Sequence, residues 1–170
     1  ISNFEFIGID ISKKALNVSR QNARLHNIDK QIKFFQGNLL EPILKKTPRA
    51  PSPIAVEDKF IKEANSKIII LANLPYGWSA WKNNSSADTV GIKFEPPIAL
   101  FTGKNGLELY EIFFSQLKIL KKLYDELLVL CEFDPRQSSG MKKIIKKYLP
   151  QANMEIKKEE PLIFQRRILQ

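Results

Sequence analysis

The sequence predicts an α/β fold built on one mostly parallel β-sheet with right-handed crossover connections. Apolar runs without alternation, each bounded by turn residues, occur at 5–10, 67–72 and 125–133. Runs of this kind are typical of parallel strands that are covered on both faces. Apolar residues recur at helical spacing in 13–26 and in 105–123, so we expect strands and helices to alternate along the chain.

Shorter patterns complete the expected sheet. Residues 31–36 predict a further strand between the first two long runs. Near the end of the chain, alternation around Met154 and Ile156 and an apolar segment at 162–169 predict two more strands. We expect this terminal pair to form an antiparallel hairpin on the sheet edge.

Two segments have no strand or long-helix pattern. The proline-rich segment 45–66 predicts a surface insertion that includes a short helix near 56–65. Residues 77–93 predict a loop long enough to serve as a lid or a docking surface. Its Trp78 and Trp81 are candidate docking residues, although loop tryptophans also cap cores.

Length and composition are those of one globular domain. With 170 residues, 44% of them hydrophobic, the chain can form a substantial core. The net charge of +9 favours an acidic partner such as nucleic acid or a ribosome-associated protein. The lysines are scattered, however, and the group at 142–147 shares one helix face, which is typical of a solvated surface. Cys131 lies within an apolar strand pattern, so we expect it to be buried rather than nucleophilic.

The apolar stretches and the start of the sequence indicate where in the cell the protein is expected and whether the chain is part of a longer one. No stretch approaches the roughly 20 apolar residues that a membrane span needs, and no signal pattern is present at the start, so a cytoplasmic location is expected. The chain opens at Ile1 and reaches its first strand almost at once. This predicts that the chain is the later part of a longer protein.

The segment Asn73-Leu74-Pro75-Tyr76 directly follows the second long apolar run. An amide, a proline-stiffened turn and an aromatic ring are thereby expected at the carboxyl end of a buried strand. In open α/β sheets, ligands bind at this edge. An ordinary strand-to-loop turn explains the same four residues equally well, since Asn and Pro are common in turns.

Two other strand ends carry polar groups. Asp10 ends the first strand, where a carboxylate can accept hydrogen bonds from both ribose hydroxyls of a nucleotide or can simply favour the start of the next helix. Gly37-Asn38-Leu39 follows the 31–36 strand on the same expected edge. Asn38 can accept from an adenine amino group while Leu39 covers the base, or the three residues form only a turn.

Taken in order, the segments 9–12, 35–42, 73–76 and 94–107 resemble the HemK-type glutamine N5-methyltransferases of peptide chain release factors. The last segment is the most specific, because few methyltransferases carry Phe-Glu-Pro followed by Ala-Leu-Phe-x-Gly-x-x-Gly. The resemblance covers nearly the whole chain. Residues that also fit the closing pattern of that family are Glu132, Gln137 and Arg166.

The resemblance implies a class I, Rossmann-like methyltransferase sheet that binds S-adenosylmethionine and no metal. Asp10 and Ile11 are then expected at the ribose, Asn38 and Leu39 at the adenine, and Asn73 near both cofactor and substrate. Residues 1–170 correspond to an incomplete catalytic domain. The first strand, the glycine-rich cofactor motif and a helical substrate-binding region of the family are expected upstream of this chain, so the segment alone is expected to be inactive.

The implied reaction methylates the glutamine of the Gly-Gly-Gln motif of a release factor. A glutamine amide nitrogen is a poor nucleophile because its lone pair is delocalised into the carbonyl. Acceptors must therefore hold its N–H groups and aim the nitrogen at the methyl group. The Asn73 side-chain oxygen and the Leu74 backbone carbonyl suit this role, Pro75 fixes the loop and Tyr76 packs on the substrate stem. The same resemblance places Glu95 and Pro96 on the substrate side.

Two alternatives belong to other functional classes. The first alternative is a nucleic-acid adenine N6-methyltransferase, because the Asn-Leu-Pro-Tyr form is more familiar in ribosomal RNA adenine dimethyltransferases. Such an enzyme would use the positive charge of the chain and stack a base on Tyr76 or Trp78. The second is a degenerate module that binds a partner through 77–93 without turnover. Its motivation is Asn38 in place of the usual Asp, together with the missing glycine-rich motif.

Overall fold

The structure, a computed structural model, describes residues 5–44, 67–78, 94–124 and 126–157, and the backbone of 165–169. The chain divides into two compact units, Ile1–Lys62 and Glu63–Gln170. The short helix expected near 56–65 and most of the 77–93 loop, including Trp81, lie outside the described residues. The single catalytic domain expected from the sequence stays a prediction.

The first unit contains one strand–helix–strand repeat and a short helix. Its elements are β1 (Phe6–Asp10), α1 (Lys13–Leu25), β2 (Ile32–Gln36) and α2 (Glu41–Leu44). The two strands are parallel, with Asp10 opposite Gln36. Helix α1 begins where the Ser12 hydroxyl accepts a hydrogen bond from the Ala15 amide at 3.2 Å, and it buries Leu16. The predicted strands and helix of this unit are confirmed.

The second unit holds a four-stranded sheet with helices. Its strands are β3 (Lys67–Asn73), β4 (Glu126–Phe133), β5 (Met154–Ile156) and β6 (Gln165–Leu169), in the order β3-β4-β6-β5. Its helices are α3 (Pro97–Leu100), the one-turn α4 (Gly103–Gly106), α5 (Glu108–Leu120), a 3₁₀ turn (Pro135–Gln137) and α6 (Ser138–Tyr148). Strands β3 and β4 are parallel, whereas β6 is antiparallel to both β4 and β5. The predicted antiparallel terminal pair is confirmed, with β6 lying between β4 and β5.

Helices α5 and α6 and one face of β4 form the core of the second unit. Its buried side chains are Tyr110, Phe113, Phe114, Leu117, Leu120, Val129, Cys131, Phe133, Met141 and Ile145. The Tyr110 ring meets Phe133 edge to face, with centroids 6.3 Å apart, which places α5 on this face of the sheet. Burial raises the pKa of the Cys131 thiol to about 12, so the group stays protonated, as expected for a structural cysteine.

Two features differ from the sequence prediction, and a third confirms it. Ile69 and Leu71 are 58% and 77% exposed, so the described residues do not cover β3 on both faces as expected, because the core of the unit lies on the other face. The helix predicted from residue 105 begins at Glu108, since Lys104 and Asn105 have left-handed backbone conformations. Lysines 142, 143, 146 and 147 are exposed along α6, as expected for a solvated face. None of the helices described is long and apolar enough to cross a bilayer.

Candidate active site

The loop that leaves β3 presents a side-chain amide to solvent. Asn73 is the last residue of β3 and is exposed, whereas Leu74, Pro75 and Tyr76 are half-buried. Within the part of the chain that the structure describes, the Asn73 amide has no hydrogen-bond partner. Its oxygen is therefore available to a ligand at the carboxyl end of the strand.

Backbone hydrogen bonds attach this loop to the segment that carried the most specific motif. The Gly77 amide donates to the Leu100 carbonyl at 2.8 Å, and the Thr102 amide donates to the Gly77 carbonyl at 3.0 Å. A Cβ atom at Gly77 would lie 2.7 Å from the Leu100 carbonyl oxygen, so only glycine permits this approach. The structure thus brings 73–76 and 94–107 together, with Glu95 and Pro96 exposed just before α3.

Tyr76 is held by the end of the neighbouring strand. Its hydroxyl donates to Glu132 Oε1 at 3.3 Å, and Glu132 is the β4 residue in register with Asn73. Burial, with a smaller contribution from the Glu132 carboxylate, raises the pKa of Tyr76 above its usual range, so the phenol stays neutral. The Glu132 backbone carbonyl in turn accepts from the buried Tyr110 hydroxyl. The sequence resemblance named Glu132 as part of the closing pattern of the family but assigned it no role.

In the first unit, the two strand ends proposed for cofactor binding are joined. The Gly37 amide donates to the Asp10 carbonyl at 3.1 Å, and Gln36 Nε2 donates to the Ile11 carbonyl at 3.1 Å. Asn38 and Leu39 are half-buried in the adjoining turn, where Leu39 has a left-handed φ of 52°. The expectation that both turns share one sheet edge is therefore confirmed within this unit.

The Asp10 carboxylate suits a diol. Its side chain is exposed, and one oxygen, Oδ1, accepts from the Ser12 amide at 2.7 Å. That bond fixes the orientation of the carboxylate and leaves Oδ2 with the capacity to accept hydrogen bonds from two hydroxyl donors. Ile11 beside it is 53% exposed, which offers an apolar surface next to the polar group. The residues present thus fit a nucleoside, and their roles stay predictions.

An open groove of about 680 Å³ lies beside the Asn73 loop. Trp78, Ile98, Phe101 and Thr102 contribute to its lining. The Arg136 guanidinium lies 4.8 Å from the centre of the Trp78 ring, a distance that permits a cation–π interaction. The described tryptophan therefore contributes to a surface next to the candidate site.

A left-handed turn borders the same loop. Lys104 and Asn105 have φ values of 53° and 56°, and Gly106 follows at 79°. The Lys104 ammonium lies 2.7 Å from Glu111, whose other carboxylate oxygen meets Lys147 at 2.8 Å. These two ammonium groups lower the pKa of Glu111 to about 2. The ion pairs connect the turn to α5 and α6.

This cluster predicts an acid-dependent loss of stability. Because the folded-state pKa of Glu111 lies below the ordinary value of 4.5, its stabilising effect is complete above about pH 4.5 and disappears as the pH falls toward 2. In Glu111→Gln, the difference in Tm from the parent should therefore shrink between pH 6 and pH 3. Thermal unfolding across this range tests the point, with Glu155→Gln as an exposed control. A difference that does not change with pH would contradict the assignment.

Comparison with known proteins shows what this chain is similar to. No protein-family model matches it. The release factor glutamine methyltransferase of Bacillus subtilis (strain 168) is 30% identical over 159 residues, which is 92% of this chain and 46% of that protein. The enzyme of the same name from Enterococcus faecalis is 27% identical over 160 residues, 92% of this chain and 48% of that protein. By sequence, this chain is similar to about half the length of these release factor glutamine methyltransferases.

The methyltransferase resemblance inferred from the four sequence segments is confirmed by these matches. The chain spans about half the length of the curated relatives it matches. Among solved structures, the catalytic domain of hMettl16 in complex with MAT2A 3′UTR hairpin 1 superimposes with a TM-score of 0.62 at 12% identity, over 99% of this chain and 55% of that one. The human methyltransferase 10 domain containing protein superimposes with a TM-score of 0.54 at 12% identity, over 99% of this chain and 61% of that chain. Together with the parallel strand pairs, these likenesses show a Rossmann-like methyltransferase fold.

Proposed function

We propose that the full-length protein transfers a methyl group from S-adenosylmethionine to the glutamine of the Gly-Gly-Gln motif of a peptide chain release factor. The names of the sequence relatives support this substrate. The observation that carries the proposal is the exposed Asn73 amide at the end of β3, followed by a backbone that Gly77 fixes against Leu100 and Thr102.

The residues of this loop would orient the substrate amide. The Asn73 side-chain oxygen and the Leu74 carbonyl accept the two N–H groups of the substrate glutamine, which fixes the direction of its nitrogen. Pro75 limits the motion of the acceptors. The Tyr76 ring, held through its hydroxyl by Glu132, packs on the aliphatic part of the glutamine.

The cofactor role falls to strand ends of the first unit. Asp10 binds the ribose hydroxyls, with Ile11 beside it, while Asn38 accepts from the adenine amino group and Leu39 covers the base. When bound, S-adenosylmethionine would supply an electrophilic methyl group to the substrate nitrogen, which would release one proton to solvent.

Exposed residues around the groove would receive the rest of the substrate. Glu95 and Pro96 are exposed immediately before α3, and Ile98 is 65% exposed at the groove lining. Trp78 adds an aromatic surface stabilised by Arg136. An apolar groove with a few charged groups at its margin is typical of peptide-binding sites.

A methylation assay that offers two substrates separates this proposal from its alternatives. Full-length protein, radiolabelled S-adenosylmethionine, a release factor and ribosomal RNA are incubated together, and we expect label in the release factor alone. A release factor with its acceptor glutamine replaced by glutamate is the control and should remain unlabelled. Labelled RNA with unlabelled release factor would favour the adenine methyltransferase. Label in neither substrate would favour the non-catalytic module.

A further inference from the structure

The side-chain amide of Gln137 makes every hydrogen bond that its two N–H groups can donate. Its Nε2 donates to the Tyr76 carbonyl at 2.8 Å and to the Asn105 carbonyl at 2.8 Å. Its Oε1 accepts from the Asp134 amide at 3.2 Å. Gln137 is only 4% exposed, so water cannot readily replace these bonds.

These three partners belong to segments that are far apart in the sequence. Tyr76 lies three residues beyond the candidate catalytic Asn73, Asn105 belongs to the left-handed turn, and Asp134 follows the end of β4. The backbones approach so closely at this point that a Cβ atom on Gly106 would lie 2.0 Å from the Tyr76 carbonyl oxygen. One buried amide therefore fixes the distance between the turn and the loop.

A hydrocarbon side chain of the same length could not replace this amide. It would leave the Tyr76 and Asn105 carbonyls facing each other without a donor. Two carbonyl oxygens in that arrangement repel each other, so the loop would have to shift. Because Tyr76 and Asn73 share one short segment, the shift would reach the Asn73 amide and the Leu74 carbonyl.

We propose that Gln137 is a positioning residue that holds the Asn73–Tyr76 loop in its working position through the Tyr76 backbone. It acts without touching the substrate, and its effect on turnover rests on the proposed function. The conformational effect stands on the hydrogen bonds alone. A direct measurement of loop protection can therefore test it separately from methyl transfer.

The test compares Gln137→Met and Gln137→Glu with the parent in the full-length protein. Methionine keeps the length of the side chain and removes both donors. Glutamate removes them when ionised and restores one when protonated, and burial between two carbonyls raises the pKa of such a carboxyl group. Gln116→Met is the matched control, because Gln116 is also buried, at 8% exposure, but lies in α5.

The first readout is hydrogen exchange at the Gly77 and Thr102 amides, expressed as protection relative to the unstructured rate at each pH. We expect Gln137→Met to lose at least tenfold in protection at both amides, and Gln116→Met to keep parent values there. In Gln137→Glu, protection should recover severalfold between pH 8 and pH 6. Parent-like protection in Gln137→Met, or an equal loss in Gln116→Met, would overturn the proposal.

The second readout is the pH profile of methyl transfer. Both Gln137 variants should lose at least tenfold in kcat at pH 8 with the KM for cofactor little changed, and only Gln137→Glu should recover relative to the parent as the pH falls. Among the described residues, ionisable side chains near Gln137 and its partners include Tyr76, Glu95, Lys104, Glu111, Glu132, Asp134 and Arg136. These side chains are the same in both variants, so the Gln137→Met profile corrects for their titration. An identical pH profile of methyl transfer in the two variants would overturn the proposal. A parent that methylates no release factor would refute the proposed function, while the exchange data would still decide the role of Gln137.

Discussion

Replacing Asn73 by alanine is expected to reduce methyl transfer to a Gly-Gly-Gln protein by about 10²–10³-fold, the usual effect of deleting one preorganised polar contact to a reacting group. The substrate glutamine would lose one of its two acceptors, and its nitrogen would no longer be aimed at the methyl group. Cofactor binding should remain measurable, because the proposed ribose and adenine contacts come from Asp10 and Asn38. Steady-state kinetics and calorimetric titration of the cofactor, both on the full-length protein, measure the two quantities.

A second asparagine provides the matched control. Asn22 lies on the exposed surface of α1, and Asn22→Ala should leave methyl transfer within about twofold of the parent, as expected for a surface substitution. Undiminished turnover in Asn73→Ala would refute the proposed acceptor role. A variant that loses cofactor binding altogether would instead assign Asn73 to the cofactor alone.

Gly106→Ala is expected to have the largest effect on stability, a loss of more than about 2 kcal/mol. The Gly106 φ of 79° is strained for any residue with a side chain. An added Cβ would lie 2.0 Å from the Tyr76 carbonyl oxygen and 2.2 Å from Gln137 Nε2. Neither atom can move without breaking the hydrogen bond that joins them, so the left-handed turn and the Asn73 loop should separate.

Gly140→Ala is the control for this substitution. Its Cβ would lie 2.3 Å from Leu107 Cδ1, the far end of a flexible side chain that can rotate away. Gly140 is inside α6, where alanine is favoured over glycine by about 1 kcal/mol, so the net effect should be small. Urea unfolding of the full-length variants compares the two. A Gly106→Ala protein within about 0.5 kcal/mol of the parent would contradict the close packing described at this turn.

Elements with a strong local pattern were predictable from the sequence. The strands at 5–10, 31–36, 67–72 and 125–133 follow apolar runs that flank helical stripes, and each lies within a residue or so of the observed strand. The joined ends of β1 and β2 were also expected, because consecutive parallel strands end at the same sheet edge. The start of α5 was not predictable in this way, since the left-handed Lys104 has no local sequence signature.

In the candidate site, too, some features follow from local sequence patterns and others only from tertiary packing. By itself, the sequence determined which groups stand at the strand ends, Asp10, Asn38 and Asn73 among them, because periodicity and turn chemistry act between near neighbours. Only the tertiary structure decided that β6 lies between β4 and β5, that Glu132 receives the Tyr76 hydroxyl, and that Gln137 joins Tyr76 to Asn105. The three hydrogen bonds link residues 32 to 61 positions apart. Their formation depends on how the whole unit packs, which short-range patterns do not encode.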